Sequence, residues 1–153
     1  MTCIELMAAC RARHREIREL EEKIQDARDA MTGMSQASGI RGGGGGDRFA
    51  AHAARVDELL GRLQAARRKL AAEEPAVILL TADMPAQPRS FLRAFYGRGE
   101  APSAIARANQ CTVSNVYKGL AAGRALAAKA GPAAVESALP ACYMKGWEEE
   151  ERC

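Results

Sequence analysis

Phe49, Val56, Leu63 and Leu70 recur at intervals of seven, with Ala53, Leu59/Leu60 and Ala66 filling the positions between them. This spacing gives a helix one apolar face; it does not suit a strand, whose faces alternate every residue. A second stripe runs through Cys3, Leu6, Cys10, Arg13, Ile17, Leu20, Ile24, Ala27 and Met31. It has the three–four spacing of a coiled-coil seam, interrupted by the charge at Arg13. Arg15–Glu19, Arg18–Glu22 and Glu19–Lys23 stand four apart on the polar side, where such pairs support a helix. Two helices of this kind fold back as an antiparallel pair, and self-association through the same seams, giving a homodimer, is equally compatible. His14 and His52 lie on these helices without a partner pattern and are expected at the surface.

Between the seams, residues 32–47 are glycine, serine and small polar side chains, ending in five consecutive glycines, 42–46. Such a run holds neither helix nor strand cheaply. A phosphate-cradling loop would need Lys and then Ser/Thr after its last glycine, but Asp47 and Arg48 follow. The stretch reads as a linker. Residues 77–80 (Val-Ile-Leu-Leu) are the one β-like run; with no second strand to pair with, they read as helix ending before Pro85.

Hydrophobic residues make up 48% of the chain but aromatics only 5%, and much of the apolar content is alanine. Alanine favours helix and buries little area, so the core should be modest. The expected fold is all-α. A long helical hairpin, antiparallel and coiled-coil-like, occupies residues 1–74, with its glycine-rich linker at 32–47. A small helix-turn-helix bundle follows at 75–130, and a C-terminal tail at 131–153.

Charge is unevenly distributed along the chain. Residues 1–84 carry thirteen basic and thirteen acidic side chains. Residues 85–130 carry Arg89, Arg93, Arg98, Arg107, Lys118, Arg124 and Lys129 against Glu100 alone. A basic block of this kind suits a polyanion such as nucleic acid, double-stranded DNA included, and equally suits a solvated basic face. The tail includes Tyr143, Met144 and Trp147, then an acidic run at 148–151. It has three open fates: folding onto the body, contacting polymerase, or remaining disordered.

No enzyme is expected. Cys3, Cys10, Cys111, Cys142 and Cys153 show no paired spacing, and neither cysteine nor histidine clusters at metal-ligand intervals. Neither a catalytic group, a metal site nor a cofactor motif is expected. Without a visible secretory signal or a long apolar run, the expectation is no membrane association and a cytoplasmic protein with free thiols.

The basic block also has internal order. Phe91, Leu92 and Phe95 give an apolar helix face, closed by Gly97 and Gly99. Pro102 is placed to open a short helix through Ala108. Asn109, Gln110 and Cys111 make a brief polar break, and Thr112 is an N-cap for a helix running to about 129. Val116 and Leu120 form its narrow buried face, with Gly119 and Gly123 permitting close approach; Cys111 is expected to pack. Short helix, break, capped helix is the helix-turn-helix layout. Thr112, Ser114, Asn115, Tyr117 and Lys118 are left to face a major groove, with Arg98, Arg107 and Arg124 as flanking cations. With four to six phosphates neutralised, affinity would fall roughly two to three decades between about 50 and 200 mM salt.

Tyr96, Gly99, Ile105-Ala106, Thr112 and Val116, followed by Leu120 and Leu126, stand in the register of the last DNA-binding region of sigma-70-type factors. The stretch 91–126 resembles that region, and the whole chain resembles in layout a group of short phage and prophage proteins. The resemblance implies a transcription regulator with its recognition helix at about 112–129 and RNA polymerase as a second partner. Two positions depart from the pattern. Asn109-Gln110 stand where a Leu-Gly pair is usual, and Ala101 stands where Ser or Thr usually caps the first helix. The competing reading is a helical adaptor or oligomerisation protein that works through its coiled-coil seams, with a degenerate DNA module.

Overall fold

The computed structural model describes residues 1–37 and 45–145. It is all-helical. The elements are α1 (Cys3–Ala37), α2 (Gly45–Leu80), α3 (Ala86–Leu92), a π-helical turn (Arg93–Gly97), α4 (Pro102–Ala108), α5 (Val113–Ala127), α6 (Pro132–Ala138) and α7 (Ala141–Met144). Residues 32–37 and 45–47, which composition assigns to the linker, are helical; the rest of that stretch, 38–44, lies outside the described residues. Residues 77–80 are helical, as expected, and α2 passes through Pro75 without ending. Among the described residues no helix is long and apolar enough to cross a membrane.

Thr2 and Glu5 form a capping box at the start of α1. The Thr2 backbone N–H donates to Glu5 Oε2 (2.6 Å), and the Glu5 N–H donates to Thr2 Oγ1 (3.2 Å). The Thr2 N–H and then its hydroxyl lower the Glu5 carboxyl below its ordinary pKa. The signal is Thr-x-x-Glu at residues 2–5, legible in the sequence as a helix start.

The chain divides into two compact units, Arg15–Arg68 and the combination of Met1–His14 with Lys69–Cys153. In the first, Leu20 and Ile24 of α1 are buried with Leu59, Leu63 and Ala66 of α2, and Ile17 and Leu60 are half-buried at the edge. The seams pair as an antiparallel hairpin, with Arg67 Nη2 2.7 Å from Glu21 Oε1. Both partners of that ion pair are about half exposed, so it contributes little. Phe49 does not join this core: it is 44% exposed.

The second unit departs from the sequence reading, which closes the hairpin at residue 74 and opens the helix-turn-helix bundle at 75. Here Cys3, Leu6, Met7 and Cys10 of α1 are buried with Val77, Phe91, Leu92, Ile105, Val116 and Leu120. The opening turns of α1 are therefore part of the bundle's core. Periodicity shows that a face is apolar but not which partner covers it.

Polar contacts fix α1 to the turn after α3. Arg11 Nη1 donates to the carbonyls of Phe95 (2.5 Å) and Glu100 (2.9 Å), and its guanidinium lies 3.6 Å from the Phe95 ring centroid. His14 Nε2 donates to the Gly97 carbonyl (2.7 Å) and lies 3.2 Å from Glu74 Oε1. His14 is thus half-buried rather than a surface residue, and both neighbours accept, which places the proton on Nε2. Gly99 sits against it at φ 67°; a Cβ there would lie 2.8 Å from His14 Cβ, so only glycine satisfies both backbone and space.

The C-terminal segment folds onto the same unit as far as residue 145. Val135 and Leu139 are buried, and Tyr143 Oη donates to Glu73 Oε1 (2.7 Å). Glu73 is fully buried and stands 3.5 Å from Arg13 Nη2. Burial first, and then the hydrogen bond to Glu73, pushes the Tyr143 phenol above its ordinary pKa. Arg13 breaks the apolar seam because it has a carboxylate to meet. Trp147 and the acidic run at 148–151 lie outside the described residues.

Candidate nucleic-acid interface

The turn between α4 and α5 places the expected groove-facing edge. Pro102 is the first residue of α4, where a missing N–H costs nothing. Its cap residue, Ala101, makes no side-chain hydrogen bond, so proline geometry replaces the usual hydroxyl cap. The break follows at Asn109, Gln110 and Cys111. Asn109 Nδ2 donates back to the Ile105 carbonyl (2.8 Å), and Gln110 adopts φ 52°. That left-handed conformation is the one glycine favours, and through it Gln110 turns the chain from α4 toward α5. Cys111 is half-buried against the core. Thr112 then caps α5, its Oγ1 accepting from the Asn115 N–H (3.2 Å).

The seating of α5 depends on two glycines. A Cβ on Gly119 would lie 2.3 Å from Phe91 Cδ2, and one on Gly123 would lie 2.7 Å from Leu92 Cγ. The backbone of α5 therefore rests directly on α3, and Val116, Leu120 and Ala127 complete the buried face. Helical geometry turns Ser114, Lys118, Ala121 and Ala125 to the opposite side, with Val113 and Tyr117 on one flank and Asn115 on the other. All of these are exposed, Tyr117 by 53% and Val113 by 39%.

The basic residues have unequal freedom. Arg93 donates from Nε to Thr81 Oγ1 (2.9 Å) and from Nη2 to the Ile78 carbonyl (2.8 Å). Arg89 Nη1 donates to the Ala82 carbonyl (3.1 Å). Arg93 thus caps the C-terminal end of α2, where unsatisfied carbonyls concentrate negative charge, and Arg89 holds the turn that follows it. Arg98 pairs with Glu100 at 2.6 Å, and Arg124, half-buried, donates to Tyr96 Oη at 3.3 Å. Arg107, Lys118 and Lys129 are exposed.

The expected groove residues Thr112, Ser114, Asn115, Tyr117 and Lys118 are thus all exposed, spread around the outward side of the cap and first turns of α5, and Arg107 is exposed at the end of α4. Arg98 and Arg124 are each held by a neighbour within the fold. Val113 was not singled out by sequence reasoning, because an isolated valine carries no motif; its exposure marks it only in three dimensions. Among the described residues no group of three or more His, Cys, Asp or Glu is arranged to hold a metal ion.

A short helix, a break with one left-handed residue and a capped helix seated on a third make a helix-turn-helix arrangement within an all-α chain. No family model, curated protein or solved structure matches the chain.

Proposed function

We propose that the chain is a DNA-binding transcriptional regulator of the phage type suggested by its likeness to the sigma-70 region, with α5 entering the major groove. The observation that carries this reading is the exposure of Thr112, Ser114, Asn115, Tyr117 and Lys118 around the first turns of α5, within a stretch, residues 101–135, that has no Asp or Glu at all. Asn115 has the donor and acceptor to pair with adenine, and Lys118 suits guanine or a phosphate. The capped N-terminus of α5 favours a phosphate beside Thr112. Scaffold contacts held by Arg89, Arg93, Arg98 and Arg124 reduce the cations available for phosphate to Arg107, Lys118 and Lys129.

The test is duplex binding against salt. Three neutralised phosphates give a fall of about one and a half decades in affinity between about 50 and 200 mM salt, less steep than the full basic count implies. Lys118→Ala should lower the slope by about one phosphate, and Asn115→Ala should weaken selected sites while leaving non-specific binding intact. Absence of binding to any duplex at low salt sinks the reading.

A second reading, self-association, draws on one observation. The hairpin seams are occupied within the chain, but Ile78 and Leu79 on α2 are 51% and 62% exposed. With Ala71, Pro75 and Ala82 they make an outward apolar stripe. Sedimentation as a monomer at every concentration would exclude it.

A further inference from the structure

We propose that the apolar flank of α5, Val113 with Tyr117, reads the 5-methyl group of thymine in the major groove; this rests on the DNA-binding reading above. Val113 is the first residue of α5, at the margin between the buried face and the outward side of the helix, and it is 39% exposed. Tyr117 follows one turn later at 53% exposure. The opening turns of a recognition helix are the part that reaches base edges. Both side chains therefore stand beside Ser114 and Lys118, the polar residues at the centre of the same edge.

The chemistry of the flank selects its ligand. The valine γ-methyls neither donate nor accept a hydrogen bond, so they gain nothing from the amino, carbonyl or ring-nitrogen groups of the groove. Against those groups they would displace water without replacing its hydrogen bonds. The thymine methyl is the one apolar group on the major-groove edge of the four ordinary bases. A protein partner fits this flank poorly. Two partly exposed side chains offer far less than the ~800 Å² that a stable complex covers on each side. The surroundings are also cationic: Arg107 and Lys118 are exposed, and no carboxylate occurs between residues 101 and 135. The apolar contact is thus embedded in a surface complementary to a polyanion.

The probe is uracil, which differs from thymine only by the missing methyl and keeps every hydrogen-bonding group of the pair. Duplexes selected on the full chain from a random pool would be prepared once with thymine and once with deoxyuridine, and their affinities compared. The expected result is tighter binding of the thymine duplex by about fourfold for each methyl contacted. Val113→Ser, which removes both γ-methyls at an exposed position, should abolish most of that ratio while binding persists. Tyr117→Ala is the second variant, and matched melting curves show that both remain folded. Equal affinity for thymine and uracil duplexes overturns the inference and leaves the DNA-binding reading standing. A thymine preference unchanged in both variants also overturns it, because the methyl is then read elsewhere. Failure of the wild type to bind any duplex removes both.

Discussion

Gly119→Ala tests the packing of α5 in a case where helix propensity and tertiary structure predict opposite signs. Replacing glycine by alanine inside a helix gains up to about 1 kcal/mol, because alanine loses less backbone freedom on folding. In this chain the added Cβ would lie 2.3 Å from Phe91 Cδ2 and 2.7 Å from Cε2. Carbon atoms in good contact stand about 3.5–4.0 Å apart, so the overlap exceeds about 1 Å. Phe91 is 2% exposed, and Gly123, one turn along α5, is held as closely by Leu92, so neither ring nor helix has room to withdraw. Overpacking of this severity belongs near the upper end of the usual cost, about 3 kcal/mol. Offset by propensity, the net loss is about 2 kcal/mol, a fall in Tm of roughly 10 °C for a unit of this size. Gly61→Ala is the control. It also lies within a long helix, but a Cβ there meets nothing within 4 Å, so propensity acts alone and stability should rise by up to about 1 kcal/mol. Thermal and urea melts followed by far-ultraviolet circular dichroism measure both. A Gly119→Ala protein that melts at or above the wild type would refute the reasoning.

Two further outcomes follow from the bundle core. Leu6 is fully buried in the same core as Phe91 and Val116, so Leu6→Ala should cost about 2–5 kcal/mol and lower the urea midpoint of the unit that holds the helix-turn-helix; an unchanged midpoint would show that α1 is dispensable to it. Stability should also fall at alkaline pH. Burial, the largest cause, and then the charge of Glu73 push the Cys10 thiol from 9.0 to about 12, and Tyr143 is raised as well. The folded state then keeps protons that the unfolded chain releases, so this contribution is intact below about pH 9 and is lost as pH rises toward about 12. Urea midpoints of wild type, Cys10→Ala and Tyr143→Phe across that range check it, the variants being expected to lose less than the wild type.

Much of the candidate site was legible because its signals are local. Pro102 at a helix start, Thr112 as a cap and the spacing of Val116 and Leu120 need only neighbouring residues to be understood, and each occupies its expected place. Gln110 was legible only as part of a polar break; its left-handed φ of 52° is seen only in the fold. The arginines were not legible. In the sequence Arg89 and Arg93 read only as members of a basic block, but in the fold they donate to carbonyls in the last turn of α2 and in the turn just after it.

By itself, then, the sequence determined that this protein is helical and that the stretch around Pro102 and Thr112 breaks into short helix, turn and capped helix. Those properties follow from side-chain period and from caps that act within one or two turns. Tertiary structure alone decided that the first turns of α1 belong to the bundle, that Gly119 and Gly123 seat α5 on α3, and which cations remain exposed. Each depends on residues far apart in the chain meeting across a core, and an apolar or charged residue carries no mark of its distant partner. His14 shows the difference most directly: on a helical stripe it reads as a surface residue, and in the fold it holds the carbonyl of Gly97.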